Sequence, residues 1–78
     1  MNAHSTRRLS PKKLLLSKWT AANPRSKEKH FLVTRVIAEE AHAARIKSIE
    51  LEAVITRRVY TLPWSALNDS SRWLQGWR

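Results

Sequence analysis

The sequence lacks cysteine altogether, and its 78 residues include one glycine and three prolines. Without cysteine no disulfide can stabilise the fold, which is consistent with a reducing compartment. A single glycine leaves no glycine-rich loop to hold a phosphate group. A chain of this length forms one domain with a thin core, so each large apolar side chain that it buries matters for stability.

Long apolar runs are also missing. The apolar cluster nearest the N-terminus is Leu14-Leu15-Leu16, and Lys18 follows it with a charge. A membrane-spanning helix needs about 20 apolar residues, and the apolar part of a signal peptide needs about 7–15. We therefore expect a cytoplasmic protein with no membrane span.

Acidic residues are few, since six Asp and Glu stand against 15 Lys and Arg and leave a formal net charge of +9. The charge is uneven along the chain, with +7 on residues 1–29, −1 on residues 30–56 and +3 on residues 57–78. Such a charge distribution attracts polyanions, namely nucleic acid, anionic lipid or an acidic protein.

The organisation along the chain is simple. Residues 1–10 are polar and show no periodicity, which predicts a disordered basic arm. Residues 11–78 then form a single small β-rich domain. Within it, residues 23–29 contain Asn-Pro followed by serine and charges, so they are expected to form a loop.

Three strands are predicted near residues 30–38, 46–56 and 58–62, because these stretches are rich in β-branched and aromatic residues. A fourth short strand around Trp19 is compatible with the pattern. Period-two alternation predicts which apolar residues share a face. In the first strand these are Phe31, Val33 and Ile37, and in the second Ile49, Leu51, Ala53 and Ile55.

One long helix over residues 36–56 is the competing interpretation, because this stretch is rich in Ala, Glu, Ile and Leu and has no Gly or Pro. Its apolar positions do not form a stripe with a period of about 3.6 residues, which favours strands. The pattern leaves open whether residues 38–48 form a hairpin turn or a helix.

The C-terminal stretch from Pro63 is typical of one or two short helical turns, the second of which carries Trp73. Gly76 is placed as a stop, where a positive φ is easily adopted by glycine. The predicted fold class is therefore mostly β with a short C-terminal helical turn. The sheet is small and antiparallel, with an SH3-like barrel as a candidate arrangement.

Tryptophan is unusually common, with four in the chain. Trp19, Trp64 and Trp73 are expected to belong to the core, because a thin sheet needs large rings to cover it. Trp77 stands next to Arg78 and is the best candidate for an exposed ring. An exposed tryptophan beside positive charge can stack on a nucleobase.

This combination predicts a non-catalytic accessory protein that binds RNA or single-stranded DNA. Basic side chains would neutralise phosphates and Trp77 would stack on a base. The candidate residues are Arg7, Arg8, Lys12, Lys13, Lys18, Arg25, Lys27, Lys29, Arg72, Trp77 and Arg78. The alternative is a protein–protein interaction module that binds an acidic protein partner. Attachment to anionic lipid is a third interpretation, which the small apolar surface of the arm disfavours.

Catalytic and metal-binding patterns do not stand out. The histidines at 4, 30 and 42 lack metal-ligand spacing, and no Ser–His–Asp order appears. Glu50 and Glu52 share a strand face, but exposed carboxylates there are more simply explained by pairing with Lys47 or Arg57. We expect no enzymatic activity, no cofactor and no metal.

Three stretches are specific in combination: "PKKLLLSKWTA" at 11–21, "EKHFLVT" at 28–34 and "YTLPWSALNDSSRWLQGW" at 60–77. Together they resemble a family of small tryptophan-rich bacterial proteins described only as conserved and of unknown function. The resemblance covers residues 11–77. The sequence departs from the family pattern at 39–48, where a shorter, glycine-bearing turn is usual. The resemblance implies a bacterial, cytoplasmic protein, and it carries over no catalytic or binding residues.

Overall fold

The fold is an open, five-stranded antiparallel sheet, seen in a computed structural model that describes residues 11–41 and 45–78. The strands are β1 (Lys18–Arg25), β2 (Glu28–Ala38), β3 (Ile46–Ala53), β4 (Val59–Pro63) and β5 (Trp73–Gln75). Their order across the sheet is β4-β3-β2-β1-β5. Two short 3-10 helices, η1 (Pro11–Lys13) and η2 (Trp64–Asn68), flank the strands. The predicted arm at 1–10 lies outside the described residues.

The prediction of a mostly β fold with a short helical turn near the C-terminus is confirmed, and η2 is that turn. The sheet does not close, so the barrel arrangement does not apply. Trp73 lies in a strand, whereas a second helical turn was predicted there. The reason is that β1 would otherwise be an edge strand. β5 pairs with it through Ala21↔Trp73 and satisfies its backbone groups.

The β1–β2 hairpin replaces the loop predicted at 23–29. β1 continues to Arg25, and Ser26 and Lys27 form the turn with φ of 55° and 64°. Positive φ at both turn residues matches the twist of the flanking strands. Between Thr20↔His30 and Arg25↔Glu28, residues 21–24 of β1 oppose the single residue Lys29. This large irregularity includes Pro24, which has no N–H to donate to a regular ladder.

A second bulge lies at Thr34 in β2, between the pairs Val33↔Leu51 and Arg35↔Glu50. The extra residue reverses the alternation beyond it, so Val36 rather than Ile37 packs against the core. The prediction that Ile37 shares a face with Val33 is therefore wrong.

The connection from β2 to β3 is not a helix in its described parts. β2 ends at Ala38, β3 begins at Ile46, and the N–H of Glu39 donates to the carbonyl of Arg45 at 2.9 Å. Residues 42–44 lie outside the described part of the chain. β3 also ends earlier than predicted, since residues 54–56 form the turn toward β4.

The core lies on one face of the sheet. Its buried apolar residues are Leu14, Trp19, Phe31, Val33, Ile49, Leu51, Ala53 and Leu67. Trp64 and Trp73 are partly buried and pack against them. The three tryptophans predicted for the core therefore all contribute to it, two of them only in part.

Leu14 and Leu67 reach this core from outside the sheet, after η1 and within η2. The segment that carries Leu14 is tied to β2, because Leu16 N–H donates to Val33 O at 2.8 Å and Val33 N–H donates to Ser17 O at 3.0 Å. Among the described residues, no helix has the length and apolarity needed to cross a membrane.

Candidate functional site

A groove of about 490 Å³ remains on the apolar face of the sheet, toward the end that carries the β1–β2 and β3–β4 hairpins. Each of the five strands contributes one residue to its apolar floor, which consists of Ala21, Phe31, Leu51, Leu62 and Trp73. Polar and charged side chains surround this floor. An open apolar groove with a few converging polar groups is the usual form of a ligand site.

Three aromatic rings line the groove, with Phe31 in the middle. The ring centroid of Trp73 lies 5.1 Å from that of Phe31 with an interplanar angle of 88°. The ring of Tyr60 lies 6.2 Å from Phe31 with an angle of 66°. These edge-to-face contacts hold the rings in place. Phe31 is buried, whereas Tyr60 is 37% exposed.

Two arginines stand at the rim. Arg25 follows the bulge of β1, which brings the end of that strand to the groove. Arg72 ends the turn before β5, where its N–H donates to Asp69 O at 3.0 Å and its carbonyl accepts from Ala22 N–H at 2.8 Å. Both side chains are exposed, and neither forms an ion pair within residues 11–41 and 45–78.

Glu28 is the one carboxylate among the described lining residues, and it is only 6% exposed. The Thr56 hydroxyl donates to its Oε2, and the Tyr60 hydroxyl donates to its Oε1 at 2.5 Å. The hydrogen bond from Thr56, then that from Tyr60 and the charge of Arg58 lower the pKa of Glu28, and burial offsets this only in part. Glu28 is therefore an ionised, oriented acceptor in the groove.

Trp77 lies on the opposite face of the sheet from the groove. Its indole Nε1–H donates to the carbonyl of Phe31 at 2.9 Å. Lys18 Nζ lies 4.8 Å from its ring centroid, and the ring of His30 lies 6.0 Å away. Trp77 is nevertheless 44% exposed, so it is a fixed ring with an accessible surface.

Gly76 explains this placement. Strand alternation would put Trp77 on the same face as Trp73, four residues earlier. Gly76 has φ of 81°, which interrupts the extended backbone after β5. Its N–H donates to Lys18 O and its carbonyl accepts from the hydroxyl of Thr20 at 2.7 Å. The predicted positive φ of Gly76 is confirmed, although it ends a strand and not a helix.

The structure divides the predicted nucleic-acid-binding residues into groups. Arg25 and Arg72 share the groove, whereas Lys18, Trp77 and Arg78 cluster on the other face. There the carbonyl oxygen of Arg78 lies 2.9 Å from Nε2 of His30. Elsewhere, Lys12 and Lys13 are exposed on η1, Lys27 is exposed in the β1–β2 turn and Lys29 is exposed opposite the bulge. Arg7 and Arg8 lie outside the described residues.

Sequence reasoning missed the groove itself. The three rings come from three different strands, namely Phe31 from β2, Tyr60 from β4 and Trp73 from β5. The sequence pattern places Glu28 in a loop at 23–29, whereas it begins β2. Nothing in their spacing signals a common site, because strand order and register bring them together. Among the described residues, no group of three or more His, Asp or Glu is placed to hold a metal ion.

A family model described as tryptophan-rich protein, DUF2389, matches residues 17–78. The chain belongs to this family. The resemblance drawn from the three sequence stretches is thereby confirmed. The matched range contains all five strands, the groove and Trp77. No curated protein and no solved structure matches the chain.

Proposed function

We propose that this protein is a non-catalytic accessory protein that binds single-stranded nucleic acid through the groove. The observation that carries the proposal is the arrangement of Arg25 and Arg72 around a floor that contains the rings of Phe31 and Trp73. A base can stack on the aromatic surface while the guanidinium groups bind the adjacent phosphates. Stacking of this kind contributes about 1–3 kcal/mol per base.

The size and openness of the groove favour a single strand. A volume of about 490 Å³ lies within the range of small-ligand sites and is suited to one nucleotide unit. In a duplex the faces of a base are covered by its neighbours, so a paired base cannot lie on the aromatic floor. Single strands can turn their bases outward.

The charge of the chain supports the same ligand. Lys27 lies beside the rim in the β1–β2 turn, and the net charge of +9 attracts a polyanion over a longer distance. Each phosphate of a single strand that a cationic side chain neutralises contributes about −0.7 to the slope of log K against log[salt]. The cytoplasmic location and bacterial origin stay predictions of the sequence.

The test is a titration of tryptophan fluorescence with a short single-stranded RNA of mixed sequence, between roughly 50 and 200 mM salt. We expect quenching, because Trp73 lies in the groove, and a negative salt slope. The double substitution R25A/R72A should reduce the magnitude of the slope by about 1.4. The control is R35A, which removes one positive charge from the other face, where Arg35 pairs with Glu50 at 3.6 Å.

Two results would contradict the proposal. One is the absence of binding at the lowest salt concentration. The other is equal loss of affinity per charge in R25A/R72A and R35A, because that would indicate unspecific attraction without a groove. Repeating the titration with single-stranded DNA shows whether the 2′-hydroxyl contributes.

An acidic protein partner is the second candidate, and the edge strand β4 favours it. Among residues 11–41 and 45–78, β4 pairs only with β3, and its Val59 is exposed. An extended segment of a partner can add to such an edge through backbone hydrogen bonds. This interaction requires no base, so it predicts that an acidic peptide binds and that single-stranded RNA causes no base-dependent quenching of tryptophan fluorescence.

A further inference from the structure

We infer that the groove selects a guanine base, whose Watson–Crick edge donates two hydrogen bonds to the carboxylate of Glu28. The inference rests on the proposed function, because it names the base that the same groove takes. It uses a feature that general attraction of phosphates does not need, namely a buried acid among the residues that line the groove.

The position of Glu28 motivates the inference. It begins β2, lines the groove and stands three residues before Phe31, the central ring of the floor. A carboxylate repels phosphates, so it contributes nothing to the binding of the backbone itself. Beside an aromatic floor, it is placed to contact the edge of a base that stacks there.

The hydrogen bonds of Glu28 leave acceptor capacity on both oxygens. An ionised carboxylate has about four lone-pair positions. The hydroxyl groups of Thr56 and Tyr60 occupy one position on each oxygen. One further lone pair on each oxygen is used by no hydrogen bond among the described residues, and we infer that a ligand takes it. Because both hydroxyl protons are already used for Glu28, Thr56 and Tyr60 act as positioning residues that orient the carboxylate.

The chemistry of the bases then decides the preference. Guanine presents two adjacent donors, N1–H and N2–H, which match the two oxygens of one carboxylate. Uracil presents one N–H between two carbonyl oxygens, and these oxygens repel a carboxylate. Adenine and cytosine each present one amino group beside an acceptor nitrogen. The expected order is therefore guanine first and uracil last, since a good bidentate pair discriminates strongly against the wrong base.

The charge balance of the groove permits this arrangement. Arg25 and Arg72 outnumber Glu28, so a nucleotide with its negative phosphate still meets a net positive rim. Arg58 lies close enough to act on Glu28 electrostatically and helps to keep the acid ionised. The acid can therefore read a base without preventing phosphate binding.

The experiment compares a uridine oligomer with the same oligomer carrying one central guanosine, by fluorescence anisotropy of the labelled strands. We expect the guanosine to raise the affinity roughly tenfold. E28Q should remove most of this difference, and it should bind the uridine oligomer at least as well as the unaltered protein does. The matched control is E52Q, whose carboxylate lies on the other face and pairs with Arg57 at 3.3 Å, and it should keep the preference.

A ligand-side comparison keeps the test valid if E28Q does not fold. Replacing the central guanosine with inosine removes only the 2-amino group, and we expect it to forfeit a large part of the tenfold gain. Competition by free GMP and UMP distinguishes a site for free nucleotides from one that needs a strand. If free nucleotides bind, GMP should compete better than UMP.

Equal affinity for the two oligomers would overturn the guanine inference and leave the proposed function standing. An equal loss of affinity for both oligomers in folded E28Q would also overturn it, because it would show that Glu28 acts only on the structure. Failure of every strand to bind would instead contradict the proposed function itself.

Discussion

The hydroxyl of Tyr60 on β4 donates a hydrogen bond of 2.5 Å to Glu28 at the start of β2, across the intervening strand β3. Thr56, in the turn between β3 and β4, donates to the other oxygen of the same carboxylate. This three-residue contact ties the two hairpins together at the open end of the sheet. The carboxylate of Glu28 therefore contributes both to the shape of the groove and to the stability of the fold.

The first prediction concerns acid. The hydrogen bonds from Thr56 and Tyr60 lower the pKa of Glu28 in the folded state below its reference value of 4.5. Its stabilising contribution is therefore complete above about pH 4.5 and is lost as the pH falls through the folded-state pKa. We expect the melting temperature to fall more steeply below this pH in the unaltered protein than in E28Q. Parallel melting profiles of the two proteins would contradict this role.

The second prediction concerns the thin core. Leu67 on η2 is 0% exposed, so L67A should lower the free energy of unfolding by about 2–5 kcal/mol through lost burial and a cavity. The control is I55A, since Ile55 lies in a turn and is 67% exposed, and its effect should stay within about 0.5 kcal/mol. Urea denaturation measures both. Similar effects of the two substitutions would show that η2 does not close the core.

The third prediction concerns Gly76. A Cβ there would meet no atom within 4 Å, so the cost of G76A comes from its φ of 81° alone. We expect G76A to lower the free energy of unfolding by about 1–2 kcal/mol. Asparagine tolerates this conformation better, so G76N should cost less. Equal stability of G76A and the unaltered protein would mean that the backbone at this position relaxes freely.

The fourth prediction separates the two faces of the sheet. W77F removes the hydrogen bond from the indole to Phe31 O, which should lower the free energy of unfolding by about 1 kcal/mol. Because Trp77 lies on the face opposite the groove, W77A, which removes the ring altogether, should leave RNA affinity nearly unchanged. A large loss of affinity in folded W77A would instead place the stacking ring at Trp77, as the sequence predicts.

Part of the fold follows from local pattern. In β3, Ile49, Leu51 and Ala53 are all buried, as period-two alternation predicts, because one face of the strand is covered along its whole length. The strands β2, β3 and β4 were located to within a few residues for the same reason.

The bulges could not be read from the sequence. Thr34 carries no local signal for an extra residue, and its effect on Val36 depends on the register of the neighbouring strand. Pro24 made the bulge of β1 look like a loop. Pairing between β1 and β2, which are joined by a turn of two residues, overrides that local preference.

The candidate site divides in the same way. The sequence identified Arg25 and Arg72 as cations, since charge is a property of the residue alone. It could not associate them with Phe31, Tyr60 and Glu28, because these residues meet only when the strands take their order in the sheet.

The two C-terminal tryptophans show the division most clearly. Composition and local pattern predicted a basic, tryptophan-rich β protein with a thin core, because charge, strand preference and burial preference belong to each side chain. The tertiary structure decided that Trp73 lines the groove while Trp77 lies on the opposite face. Two physical causes produce this arrangement. β5 pairs with the edge of β1, and the positive φ of Gly76 then interrupts the alternation of an extended strand.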